Sequence, residues 1–283
     1  MRTILAHLEL SPCLESILGC ALIVARQFDS YVEGFHMRPG QPDVIAAGAD
    51  GFVAAAPDLV AGFEREAKER AQTASERFER FMADNELKRA AEVTSGICAD
   101  WRIEMSGGQA AIGARGRIFD LLVMGRPLKD QVAPSVAALE SALFDAGRPV
   151  LVAPPTPPVH LGRNIVIAWN GSTETARTIG FSMPFIERAE KVTVLTVEDG
   201  SVSGPTGAEL TRNLEREGLE VGFLDVPLGS RGVGQAILEE TGALGADLLI
   251  KGAYTQSRLR QMIFGGATSH IVAHARLPVI MAN

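Results

Sequence analysis

Two glycine-bearing turns near the carboxyl end of the chain have the residue types and spacing to hold an anion. Residues 247–255 run from Asp247 through an apolar stretch to Lys251, Gly252, Tyr254 and Thr255, a buried strand entering a tight turn. Gly265, Gly266, Ala267 and Thr268 then open a helix that stops before Leu277 and Pro278. Glycine lets backbone approach a ligand closely, and the unpaired N–H groups of a first helical turn point at it. Arg258 and Arg260 lie between the turns and add positive charge or a solvated loop face. The alternative is a structural loop with no ligand.

The elements that must position these turns occur twice. Residues 2–11 (RTILAHLELS) and 163–172 (RNIVIAWNGS) match at one constant separation, each an apolar strand followed by a serine suited to cap a helix. Residues 120–125 (DLLVMG) match 247–252 (DLLIKG), and 148–154 (RPVLVAP) match 277–283 (LPVIMAN). Three matches in one order indicate an internal duplication. The join is a Pro-rich stretch from Pro154 to Pro158, which cannot continue a helix. The expected domains are residues 1–154 and 159–283.

Strands alternate with helices in each half, which implies α/β architecture: two tandem doubly wound domains, each a five-stranded parallel sheet covered on both faces. In the second half the pattern predicts strands at 164–169, 191–197, 220–226, 246–251 and 277–281, and helices at 173–187, 206–217, 232–244 and 266–274. The first half carries an extra stretch. Residues 38–56 read as a surface loop, and Pro57 starts a long helix with Leu59, Phe63, Ala67, Ala74, Phe78 and Phe81 as its apolar stripe. Pairs Glu64–Lys68, Glu66–Arg70 and Glu76–Arg80 have the spacing to support it.

With these motifs in hand, the chain resembles the tandem type of the universal stress protein family over nearly its whole length. The most specific parts are residues 167–172 and the loop from Gly252 to Thr268. The resemblance implies a Rossmann-like fold, a role in the stress response, and an adenine nucleotide (ATP, ADP or AMP) in the second domain, with Mg2+ as a companion of the nucleotide. It places Ala168 and Trp169 beside the base, Asn170 where the family usually has Asp, and Val197 at a backbone contact. Lys251, Gly252, Tyr254 and Thr255 then line the phosphate path, and Gly265, Gly266, Ala267 and Thr268 close it. Two positions depart from the family pattern: Thr255 replaces a glycine, and Gly266 stands where Ser or Thr is usual. In the first half strand 1 ends in Glu9, and counting back from Pro149 puts Val136 and Ala137 where the loop glycines belong. That domain is expected to be a scaffold.

No general base or metal triad is placed to activate water, so the expected role is binding, with very slow ATP hydrolysis at most. The competing reading is an interaction scaffold without nucleotide. In it the two halves pair through 148–153 and 277–282 as an intrachain pseudo-dimer, with homodimerisation as a further level.

Composition narrows the remaining classes. The net charge of −7 argues against nucleic acid as a main partner. No run of about 18 apolar residues exists, so no membrane partner is expected, and the amino terminus does not read as a signal peptide. A cytoplasmic location follows as the expectation. Cys13, Cys20 and Cys98 read as reduced, buried thiols.

Several patterns imitate other chemistry. Gly232 and Gly234 open a helix after a strand, but Ile237 stands where a dinucleotide fingerprint needs glycine. Ser106, Gly107 and Gly108 lack the residues that would complete a pyrophosphate loop. His270 and His274 have metal-ligand spacing but no third ligand nearby in sequence. Trp101 and Arg102 are expected at the sheet's edge.

Overall fold

The computed structural model of the chain describes residues 1–38, 46–48, 51–53, 57–105, 108–128, 133–253 and 266–283. The first half runs β1 (Thr3–His7), α1 (Leu14–Phe28), β2 (Tyr31–Met37), a hairpin of β3 (Ala46–Gly48) and β4 (Gly51–Val53), α2 (Pro57–Asp84), β5 (Cys98–Glu104), α3 (Ala110–Gly116), β6 (Leu121–Gly125), α4 (Val136–Asp145) and β7 (Val150–Ala153). The second runs β8 (Asn164–Ala168), α5 (Thr173–Ile186), β9 (Lys191–Val197), α6 (Gly207–Arg216), β10 (Val221–Val226), α7 (Val233–Ala243), β11 (Leu248–Gly252), α8 (Ala267–His274) and β12 (Val279–Ala282). The predicted second-half elements all form, with ends within about two residues of expectation.

Ten strands make one sheet in the order β10-β9-β8-β11-β12-β7-β6-β1-β2-β5. Each half has the same local order, third-second-first-fourth-fifth, with every neighbour parallel. The halves meet through their last strands, which pair antiparallel: Val279 with Val152, Ile280 with Leu151, Met281 with Val150. The strand that would be an open edge in either half alone is thus paired inside the chain, as expected from the sequence. Because the junction is antiparallel, the carboxyl ends of the two sets of strands point in opposite directions.

Apolar residues on both faces of the short strands create two cores. One holds Ile4, Leu18, Phe78, Ile179 and Leu214, so α1, α2, α5 and α6 cover that face. The other holds Leu5, Ile112, Leu139, Ile237, Leu249 and Ile271, so α3, α4, α7 and α8 cover the opposite one. The repeated aspartates have one shared task. Asp120 accepts from the Arg2 and Thr3 amides (2.6 and 3.2 Å), and Asp247 from those of Gly162, Arg163 and Asn164 (2.9, 3.2 and 3.1 Å). Each carboxylate fixes the start of its own half's first strand to the fourth.

The extra stretch departs from expectation in two ways. Residues 46–53 contain an antiparallel hairpin where a plain loop was predicted; the glycines and alanines there permit backbone pairing that side-chain patterning does not announce. In α2, Ala67, Ala74 and Phe78 are buried as the stripe predicts, but Phe63 is exposed, and Ala71 and Met82 join the buried face. The amino-terminal part of the helix therefore projects beyond the sheet. Of its three expected pairs, Glu66–Arg70 forms an ion pair, at 3.7 Å. All three cysteines are buried and free. Trp101 lies on edge strand β5 and packs against Phe78 and His36.

Candidate functional site

The carboxyl ends of β8 and β11 bring together part of the predicted anion site. Lys251 occupies the next-to-last position of β11, on the face shared with Leu249 and α8. It is buried, and its Nζ donates to the Gly252 carbonyl (2.6 Å) and the Thr268 hydroxyl (2.9 Å). No carboxylate among the described residues lies within ion-pair distance of it. Burial lowers its pKa to about 8, because an ammonium removed from water loses its hydration. Thr268 is buried in the first turn of α8, and Gly266, the N-cap, brings no side chain to that turn's amides. The result is a buried cation beside a helix amino terminus whose N-cap residue is glycine.

Gly252 has a second function that its sequence setting does not reveal. A Cβ there would overlap the Thr175 amide nitrogen and come within 2.6 Å of the Thr175 hydroxyl. Strand β11 and the first turn of α5 touch backbone to backbone. Gly252→Ala is expected to destabilise the fold by about 2 kcal/mol, with or without ligand; a urea melt that leaves the midpoint unchanged would contradict this packing.

The base end of the predicted site is arranged differently. Asn170 turns its amide oxygen to α5, accepting from Ser172 N (3.2 Å), Ser172 Oγ (2.8 Å) and Thr175 Oγ1 (2.6 Å). The segment 198–206 folds across the end of β8: Val202 N donates to the Asn170 carbonyl (2.9 Å), and Trp169 Nε1 to the Pro205 carbonyl (2.8 Å). Gly171 takes φ 79°, and a Cβ on Gly204 would lie 2.5 Å from the Gly171 carbonyl oxygen, so the two backbones meet closely. The Val197 carbonyl accepts from Gly200 N (3.0 Å). Ala168 and Trp169 are buried beneath this strap rather than bordering an open crevice. Tyr254, Thr255, Arg258, Arg260 and Gly265 lie outside the described residues.

The equivalent place in the first half is occupied by a side chain of the chain itself. Glu9, the positional counterpart of Asn170, accepts from the Ser135 amide through Oε2 at 2.9 Å. Ser135 caps α4 and accepts from Ala138 N (3.3 Å). A carboxylate of the chain itself therefore sits at the helix amino terminus where a ligand's anion would go. Met124, buried, stands at the strand position of Lys251. Counting back from Pro149 had set Val136 opposite Gly265. By helix position Val136 matches Ala267 and Ser135 matches Gly266, because α4 has ten residues and α8 eight.

The imitative motifs find structural roles. A Cβ on Gly234 would press on the Ala267 carbonyl (2.8 Å) and on His270, so this glycine lets α7 and α8 touch. His270 and His274 stack with ring centres 4.3 Å apart, and His274 Nδ1 bonds the His270 carbonyl (2.9 Å). Arg126 Nη1 of the first half donates to the Ala273 carbonyl, holding the carboxyl end of α8. Ser106 and Gly107 lie outside the described residues. No helix among the described residues is long and apolar enough to cross a membrane.

Sequence reasoning named Lys251 but missed why it matters: a charge inside an otherwise apolar, doubly buried strand is the signal. The Glu9–Ser135 contact joins residues far apart in sequence, and no local pattern announces it.

A sequence model described as the universal stress protein family matches residues 162–283. Among solved structures, a universal stress protein from Archaeoglobus fulgidus DSM 4304 superposes with TM-score 0.69 at 14% identity, covering 99% of this chain and 96% of its own. A protein of Pseudomonas aeruginosa UCBPP-PA14 assigned to the same family gives 0.55 at 14% identity, covering 100% and 93%. A functionally unknown protein from Pseudomonas aeruginosa PAO1 gives 0.53 at 14%, covering 100% and 92%. No curated protein matches the sequence.

Proposed function

We propose, for a chain whose residues 162–283 match the universal stress protein family, that this second domain binds an adenine nucleotide through its phosphates, while the first domain serves as a scaffold. The observation that carries the reading is Lys251. Among the described residues this buried ammonium has a carbonyl and a hydroxyl as partners and no carboxylate counter-charge, and burying an unpaired charge is costly. The segment 254–265 contains no acidic residue to supply one. A phosphate beside Gly266 and Thr268 would meet both the ammonium and the first turn of α8. ATP, ADP and AMP all offer such a group, and a Mg2+ ion bound to ATP or ADP would leave phosphate oxygens for these donors.

The base end sets the condition for nucleotide binding. Adenine can reach Ala168 and the Val197 backbone only if the strap at 201–205 moves outward, breaking the Trp169–Pro205 and Val202–Asn170 hydrogen bonds. The closed strap favours the second reading, an interaction scaffold whose halves are paired through β7 and β12 and whose crevice takes no base.

Titration calorimetry with ATP, ADP, AMP and tripolyphosphate separates these. Micromolar-range binding of ATP, with tripolyphosphate at least tenfold weaker, supports a nucleotide site. Equal affinities mean that the base is not read. No heat from any of the four, up to millimolar concentration, eliminates the anion site and leaves the scaffold. Gly265→Val should abolish nucleotide binding under the first reading. The first reading allows very slow ATP hydrolysis at most, and a phosphate-release assay with ATP checks that separately.

A further inference from the structure

Trp169 belongs to a second concavity, on the opposite face of the sheet from Lys251. A groove of about 420 Å3 runs along α6, lined by Trp169, Pro205, Leu210, Arg212, Asn213 and Arg216, with Glu209 completing its wall. It exists because the halves differ. In the first half the helix after the second strand is α2, with 28 residues, and its Phe78 and Met82 enter the core. Its counterpart α6 has 10 residues and buries only Gly207, Thr211 and Leu214. No equivalent of the longer helix fills the groove beside Trp169, which itself stays buried with one edge lining that groove.

The chemistry of the groove is specific. Glu209, Arg212, Asn213 and Arg216 follow helical spacing and share one face of α6. The Glu209 carboxylate is engaged, accepting from Thr206 N and Oγ at 2.8 Å each. Arg212 and Arg216 form no ion pair among the described residues. Two arginine side chains thus line the groove together with the apolar Leu210, Pro205 and Trp169. The bond from Trp169 Nε1 to the Pro205 carbonyl fixes that indole in place.

We propose that this groove binds a small aromatic carboxylate. The guanidinium fork matches a carboxylate and also stacks on a flat ring. Asn213 offers a further amide donor. The volume falls within the range of small-molecule sites. Trp169 packs with Leu214 and Ile179 on the α5 and α6 face, whereas Lys251 shares the other face with Leu249 and α8. The groove does not depend on the proposed nucleotide site.

The probe is naphthalene-2-carboxylate, with naphthalene-2-methanol as its uncharged counterpart. Calorimetry on the full chain is expected to show saturable binding of one carboxylate per chain, with the alcohol about tenfold weaker or more. Arg212→Ala combined with Arg216→Ala should weaken the carboxylate by a similar factor without shifting the melting temperature. In a Trp101→Phe chain Trp169 is the remaining tryptophan, and its emission should change with the same midpoint. Lys251→Met should leave the affinity unaltered. Lack of saturation at millimolar concentration, equal affinity for the alcohol, unchanged affinity in the double variant, or sensitivity to Lys251→Met would each overturn the assignment.

Discussion

Lys251→Met is expected to stabilise the ligand-free protein near neutral pH and to remove anion binding in the second domain. Methionine is the residue found at the same strand position of the first half, Met124, where it is fully accommodated in the core. The expected gain follows from proton linkage. The folded pKa of Lys251 is about 8, against 10.5 for the free side chain. Between those values the unfolded chain holds a proton that the folded chain has released. Stability therefore rises with pH across that window. Below about pH 8 both states carry the proton, and the folded state bears the full cost of the buried charge, roughly 3 kcal/mol. The hydrogen bonds lost on substitution offset part of this, about 1 kcal/mol each.

Two measurements check the argument. In the unaltered protein the melting temperature should rise from pH 8 toward pH 10 by more than it does in Lys251→Met. Tripolyphosphate or ATP should bind less tightly as pH increases above 8, because the anion favours the protonated amine. A variant with unchanged stability and unchanged anion affinity would remove Lys251 from any functional account.

Arg115→Ala is expected to cost about 3 kcal/mol. Glu33 is buried in β2, and Arg115 of α3 grips it with two parallel hydrogen bonds, Nε to Oε1 at 2.8 Å and Nη2 to Oε2 at 2.6 Å. The guanidinium also lies over the Phe119 ring at 5.4 Å. Burial first, and then the Glu33 carboxylate beside it, push the Tyr31 phenol above its ordinary pKa. Removing the arginine strands a carboxylate under α3. The figure is at the lower end for buried pairs because Arg115 keeps part of its side chain in water. Replacing both members by leucine should restore stability to within about 1 kcal/mol of the starting protein. Urea denaturation of the single and double variants tests this; a single variant within about 0.5 kcal/mol of the original would show that the pair is solvated.

Periodicity carried the sequence reading wherever burial is repetitive. Strand β9 falls on the predicted residues 191–197, and α5 begins where Ser172 was expected to cap it, accepting from Thr175 N. The duplication gave two halves of one fold, and the family resemblance implied their pairing through β7 and β12. What local pattern did not carry was contact between distant segments. Asn170 is polar at a strand end in either reading, yet its partners are the α5 turn and the strap. The two-residue difference between α4 and α8 moved the alignment of Val136. The hairpin at 46–53 arose in a stretch of small residues with no alternation to disclose it. Trp169 was assigned to a ligand's base because of its position after the strand, but α6 and Pro205 claim its ring.

Joining both halves in one polypeptide through β7 and β12 fixes how the molecule can respond. Two identical single-domain subunits docked this way would offer two equal sockets and would separate on dilution. Here dilution cannot part them, and Glu9 holds the cap of α4 in the first half, so the proposed anion site is the second half's alone. Saturation should therefore follow a simple hyperbola at one equivalent per polypeptide, unaffected by protein concentration, with the occupied half acting as an unchanging reference for its neighbour.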